Sequence, residues 1–343
     1  MPTMGALSPR ARYLESLMAD ESALSGKFLK LDDAEHERKR EARSLGPRSK
    51  WSVEHALDSS SKNRYGNVLP WDRNRVKLTV SDTTSDYINA SPIVLQAPDA
   101  PPQQYIATQG PTKFTIAPFW HMIAYEVGDP AVIVMLSRTH EDDREKCAKY
   151  WPDSGTVVYR NTTTSYKLTH LTQAYDDDTN CTVSKLMLET VDADGNTPLV
   201  KTVHHLYYEK WVDFATPLPA HETKLANLIK LARNLNVAPE SPLVVHCSAG
   251  VGRTGTYIAI DFLLDCLTRS LSAHKTAPES SEYLVKSASF LYRDGDPTPD
   301  ESADPVMDTV SHLRKQRMLM VQNVSQYTLI YRILKLTVQA SES

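Results

Sequence analysis

Three glycines within six residues, Gly250, Gly252 and Gly255, most constrain a chain of 343 residues that has only 12 glycines. They follow Leu243-Val244-Val245, an apolar run of strand type, and lead into an apolar stretch of helical spacing from Thr254 to about Leu267. Glycine concentrated at such a junction marks backbone that must approach a neighbour closely or take φ > 0. The first N–H groups of a helix have no partner inside it, and the helix dipole adds positive potential there. A strand–turn–helix unit of this kind is an anion site.

Two familiar motifs compete for the same letters. Gly250-Val251-Gly252-Arg253-Thr254-Gly255 satisfies G-x-G-x-x-G, but a dinucleotide site needs a second strand ending in an acidic residue about 20 positions on. Here the helix runs into Arg269-Ser270 and a Ser/Pro-rich stretch instead. A nucleoside-triphosphate loop fails too, because Thr256-Tyr257 stands where Lys-Ser/Thr is required. What fits is Cys247 at the start of the turn and Arg253 at its end. A thiol ringed by N–H groups at a helix N-terminus, beside a guanidinium, ionises readily. The same donors, with the planar fork of Arg253, suit a phosphate group. The expected chemistry is attack of sulfur on phosphorus, giving a cysteinyl-phosphate that water hydrolyses, with the Thr254 hydroxyl helping the sulfur leave. A lone Cys after Val-Val-His is more often a buried core residue. The loop around it is what reverses that reading.

Composition narrows the alternatives. Lys+Arg 38 against Asp+Glu 42 gives a net charge of −4, which argues against a general nucleic-acid binder. Cys147, Cys181, Cys247 and Cys266 are far apart, with no C-x-x-C pair, so neither a disulfide framework nor a metal site is expected. Cys147 and Cys266 read as core, and Cys181 stays open. No apolar run reaches a membrane-spanning length. The ends lack signal-peptide, myristoylation and prenylation patterns, so a soluble, intracellular protein is expected.

Residues 9–45 read as one or two polar helices ending in the solvated run Glu35-His36-Glu37-Arg38-Lys39-Arg40-Glu41-Ala42-Arg43. Alternation predicts strands at 76–80 and 87–90, a helix at 115–126 and a strand at 131–136. Consecutive antiparallel strands are expected within 156–210, and a helix at 219–236. Residues 271–304 read as a surface insertion, and two helices at about 305–317 and 324–337 follow. The expectation is one large α/β domain.

At this point the sequence resembles the phosphotyrosine-specific protein tyrosine phosphatases, most closely their short fungal members. The loop His246-Cys247-Ser248-Ala249-Gly250-Val251-Gly252-Arg253-Thr254-Gly255 matches their signature. Further segments match in order over about 62–335: Lys62-Asn63-Arg64-Tyr65, Asp86 to Ser91, Tyr105 to Pro111, Lys146 to Pro152, and Arg317 to Gln322. The resemblance implies a highly twisted mixed β-sheet flanked by helices. It also implies a catalytic domain at 51–338 with a helical extension at 1–50.

The implied roles are specific. Asp213, in Trp211-Val212-Asp213, is general acid and then base on a mobile loop. Gln322 orients the attacking water and Gln326 neighbours it. Tyr65 lines a deep slot that phosphotyrosine reaches down and phosphoserine does not, and Asn67 holds the substrate backbone. Ser248, Ala249, Gly250, Val251 and Gly252 cradle the phosphate. Glu141 fixes Arg253, Lys146 supports the acid loop, and His246 orients the nucleophile loop. No metal or cofactor is implied. Tyrosine-phosphorylated proteins, mitogen-activated protein kinases among them, are the implied partners of a monomeric, cytoplasmic or nuclear enzyme. The sequence departs from the family at Val212, usually Pro, and Ala215, usually Gly. The alternatives are a dual-specificity phosphatase, disfavoured by Asn63-Arg64-Tyr65, and a phosphotyrosine-binding pseudophosphatase with an impaired acid loop.

Overall fold

In the computed structural model of the chain, the described residues are 20–79, 85–97, 100–162, 164–192, 199–213, 215–238, 240–276 and 304–342. Eight strands form one mixed sheet in the order β1-β2-β10-β3-β9-β8-β7-β6. They are β1 Ala90–Leu95, β2 Gln103–Thr108, β3 Ala131–Met135, β6 Thr156–Arg160, β7 Thr164–Asp176, β8 Cys181–Asp192, β9 Val200–Tyr208 and β10 Leu243–His246. The hairpin β4 His140–Glu141 and β5 Arg144–Glu145 stands apart from it. The longer helices are α1 Glu21–Leu45, α2 Ile116–Glu126, α3 Glu222–Leu235, α4 Gly252–Thr276, α5 Pro305–Gln316 and α6 Val324–Glu342.

The centre of the sheet is parallel, β2, β10, β3 and β9 running together, and its β9-β8-β7-β6 arm is an antiparallel meander. Parallel strands need cover on both faces, and the alternation in β3 supplies it. Val132 and Val134 join the cluster under α1, α3, α4, α5 and α6, while Ala131, Ile133 and Met135 join the cluster under α2. Val245 and Val244 of β10 divide the same way. Cys147, Cys181 and Cys266 are buried and free, which places the open case, Cys181, in the core.

Three sequence expectations change. Residues 76–79 form no strand, only a Lys77–Tyr87 bridge flanked by Val76 N–H to Ala90 C=O and Leu78 N–H to Asp86 C=O, both 2.9 Å. Val80 lies outside the described residues. The ladder proper begins at Ala90, and Pro92 fits there because β1 is an edge strand that can spare one N–H. The run 35–43 is not simply solvated: Glu35 is 2% and Arg38 8% exposed, because α1 packs along α5 and α6 through Leu24, Phe28 and Leu31. The helix after the glycine turn begins at Gly252 and continues to Thr276. The expected helical residues 9–19 and most of the insertion, 277–303, lie outside the described residues. Among the described residues no helix is long and apolar enough to cross a membrane.

Candidate active site

The turn between β10 and α4 stands at the carboxyl ends of parallel strands, where open α/β sheets place their ligands. Gly250 takes φ +70°, and a Cβ there would sit 2.1 Å from the Thr108 carbonyl oxygen, so only glycine fits. Arg317 secures the outside of the turn. Its buried guanidinium donates to the Gly250 and Ala249 carbonyls at 2.9 and 3.1 Å, and to Asn89 Oδ1 at 2.7 Å. Burial lowers its pKa to about 10, still well above neutrality. With the carbonyls turned outward onto Arg317, the inner side of the turn is left to N–H donors, as an anion cradle requires.

Cys247 sits at the start of this turn and is 3% exposed. Behind it runs a polar chain whose proton order can be assigned. His246 Nδ1 lies 3.1 Å from the Cys247 carbonyl oxygen, which can only accept, so Nδ1 carries the proton. His246 Nε2 then accepts from the Tyr150 hydroxyl at 2.7 Å, and Tyr150 accepts from His205 Nε2–H at 2.8 Å. Burial holds both rings neutral, lowering the pKa to about 4 for His246 and about 3 for His205. Their folded values lie below the ordinary 6.5, so the unfolded chain takes up protons first. Stability is therefore complete above pH ~6.5 and lost as pH falls towards 4. The pair, with His312, whose pKa burial lowers likewise, should make stability fall steadily as pH drops from ~6 towards 4. Urea unfolding across that range measures the slope, and a flat profile would contradict the assignment.

Arg253, 1% exposed, lies in the first turn of α4. Its Nη1 donates to Glu141 Oε1 at 2.7 Å and to the Trp211 carbonyl at 2.8 Å, and its Nη2 to Asp213 Oδ1 at 3.0 Å. Burial works against its charge, yet Cys247, Asp213 and Glu141 together outweigh burial and raise its pKa. Lys146 Nζ holds the other Asp213 oxygen at 2.7 Å. Its pKa too is raised: desolvation opposes the charge, but Asp213, with Tyr65 and Glu141, outweighs it. The β4–β5 hairpin supplies both Glu141 and the approach to Lys146. Its two-residue turn, Asp142-Asp143, takes φ 47° and 58°, the form that twisted strands demand.

Tyr65 donates to Ser248 Oγ at 2.8 Å, since that hydroxyl itself donates to the Lys146 carbonyl at 2.9 Å. The phenol thus stands against the nucleophile turn, whereas Asn67 is exposed in the next turn. The side chains of Gln322 and Gln326 lie over Gly252, where an added Cβ would come within 3.0 Å of both amides. Gln322 N–H donates to Gln326 Oε1 at 2.9 Å. The Thr254 hydroxyl is buried and bonds to no protein atom. Cys247, Arg253, Asp213, Glu141, Lys146, Trp211, Tyr65, Gln322 and Gln326 thus meet around the one turn, while Asn67 faces solvent. Among the described residues no group of three or more His, Cys, Asp or Glu is arranged to hold a metal.

Sequence reasoning missed Arg317, Tyr150 and His205 as site residues. Arg317 and Tyr150 stood inside segments quoted for the family, so their neighbours were the available signal. His205 gave none.

The acid loop carries the two departures. Trp211 is buried and its indole donates to the Ala215 carbonyl at 2.8 Å, closing the turn. Ala215 restricts a position where glycine would have more conformational freedom. Val212 is 61% exposed and leaves its φ unfixed. Val212→Pro and Ala215→Gly are expected to change turnover a few-fold through loop populations, without loss of chemistry. Relaxation of Trp211 fluorescence measures the populations, and unchanged relaxation in both variants would refute this.

A cradle of this kind in an α/β sheet, with a buried arginine and an aspartate beside a thiol, defines the class: a phosphatase. The chain belongs to the protein-tyrosine phosphatase family, whose family model matches residues 59–281 and 297–335. The unmatched 282–296 falls within the 271–304 segment. The chain is 35% identical to Tyrosine-protein phosphatase 1 of Saccharomyces cerevisiae, over 91% of this chain and 93% of that one. It is 33% identical to Tyrosine-protein phosphatase 1 of Schizosaccharomyces pombe, over 92% of this chain but 51% of that one, so it spans about half of that relative. A solved structure of PTPN18 in complex with HER2-pY1248 phosphopeptides superposes with a TM-score of 0.68 at 26% identity, covering 92% of this chain and 99% of that one.

Proposed function

We propose that the protein hydrolyses phosphotyrosine in proteins through a cysteinyl-phosphate on Cys247. The observation that carries this reading is the double hold on Arg253. Glu141 and the Trp211 carbonyl fix one Nη, while the other Nη meets the acid-loop carboxylate. A phosphate entering the cradle offers oxygens to the same fork and displaces Asp213 from it. The freed carboxyl can then face the ester oxygen.

The steps follow from the residues. The Cys247 sulfur attacks phosphorus, the P–O bond to the ring breaks, and Asp213 gives its proton to the departing phenolate oxygen. A phenolate with a pKa of about 10 needs that proton. Asp213 then takes a proton from a water held by Gln322 and Gln326. The water oxygen attacks phosphorus, the S–P bond breaks, and Thr254 donates to the leaving sulfur. Inorganic phosphate departs and Cys247 is restored.

The Tyr65 wall supports phosphotyrosine over phosphoserine. The phosphopeptide complex of a structural neighbour supports tyrosine-phosphorylated proteins as substrates. Mitogen-activated protein kinases among them, a monomeric state, a cytoplasmic or nuclear location, and a catalytic unit at 51–338 with 1–50 as extension complete the proposal. The second reading, a pseudophosphatase that binds phosphotyrosine, rests on Val212 standing in the acid loop where the family usually has Pro.

The test is hydrolysis of a phosphotyrosine peptide beside its phosphoserine counterpart, in EDTA. Turnover confined to phosphotyrosine and indifferent to EDTA is expected. Tight binding without turnover would select the second reading instead.

A further inference from the structure

The loop that carries Gln322 is strained, and the N-terminal helix holds it. Leu319 and Val321 take φ 60° and 61°, a region that penalises residues with a Cβ, β-branched valine most of all. Such backbone persists only where its surroundings impose it. Here Leu319 N–H donates to Glu35 Oε1 at 3.2 Å. The Met320 and Val321 carbonyls accept from Arg314 Nε and Nη2 at 3.0 and 2.9 Å. Arg314 Nη1 is in turn held by Asp32 Oδ1 at 2.7 Å. The Arg314 guanidinium also stands 5.0 Å from the Phe28 ring centroid. Three successive residues of the loop are thus tied to α1, directly or through one arginine.

We propose that Glu35 and Asp32 of α1 are positioning residues for the second half-reaction, holding the backbone that aims Gln322 at the cradle. The proposal rests on the two-step reading above. Neither carboxylate touches Cys247, Arg253 or Asp213, whose bonds come from other elements. The loop they hold meets the cradle at Gly252, under Gln322 and Gln326, and through Val321 N–H to the Val251 carbonyl at 3.1 Å, so hydrolysis of the phosphoenzyme depends on them far more than its formation does. The Leu319 N–H needs an acceptor rather than a charge, so a glutamine amide oxygen at position 35 serves it and a leucine does not.

The experiment is rapid mixing of the full chain with an aryl phosphate, following phenolate release and, by acid quench, the fraction of enzyme phosphorylated at steady state. For Glu35→Leu the expected result is a first turnover within twofold of wild type and a steady rate lower by about tenfold. The phosphorylated fraction should rise towards one. Glu35→Gln should recover at least a third of the wild-type steady rate. Asp32→Ala, at a half-exposed side chain, should show the same split more weakly and serves if Glu35→Leu fails to fold. A merely structural role would lower both phases in parallel with no rise in phosphoenzyme, and that result overturns the proposal, as does no change in either variant. Absence of any phosphoenzyme in wild type and variants alike, despite phenolate release, overturns the two-step reading itself.

Discussion

Cys247→Ser is expected to lower phosphotyrosine turnover by about 10⁴-fold or more while leaving peptide binding within a few-fold of wild type. The substitution changes one atom at a site that is 3% exposed, so packing is nearly conserved. The cradle donors belong to the backbone, and Arg253 keeps both Glu141 and the Trp211 carbonyl. What is lost is the nucleophilicity of sulfur. A serine hydroxyl at the same point is far harder to ionise than a thiol. His246 faces the wrong way to take its proton, since its Nδ1–H is committed to the Cys247 carbonyl. Initial rates on a phosphotyrosine peptide, with calorimetric titration of the same peptide, separate the two effects. Residual turnover above about one part in a hundred would mean that sulfur is not the nucleophile.

The signature turn was legible because its requirement is local. A chain short of glycine spends three in six residues, and Gly250 shows why, with no room for a Cβ against Thr108. The antiparallel meander was legible for a similar reason, its apolar residues alternating along long strands. By contrast β2 was not read as a strand. Tyr105 and Ala107 enter one cluster and Ile106 the other, so both faces are apolar and the period disappears. Long-range partners were invisible from either end. Glu35 and Arg38 belong to a run of charges that any local rule assigns to solvent, yet Glu35 accepts from the Leu319 N–H far along the chain and Arg38 lies over the Trp51 ring. Arg317 likewise reads as one surface cation among many until the Gly250 and Ala249 carbonyls are seen to converge on it.

Asp213→Ala should separate binding from bond cleavage more sharply than any other change in the site. With phosphotyrosine the expected loss in kcat is about 10²–10⁴-fold, the ordinary share of a positioned acid. The loss should shrink steadily along a series of aryl phosphates as the leaving phenol becomes more acidic, and nearly vanish when its pKa is about 5, because such a phenolate departs without a proton. Substrate affinity should hold or improve. In the free protein Asp213 Oδ1 occupies Arg253 Nη2 at 3.0 Å, a contact that incoming phosphate must break, and alanine leaves that position open. Lys146 loses its partner in the variant, but it reaches solvent and can be hydrated, so the cost falls mainly on the loop. Rates across the leaving-group series, with KM taken separately, decide the matter. An equal loss for every leaving group would assign Asp213 to loop structure. A loss confined to poor leaving groups makes it the acid.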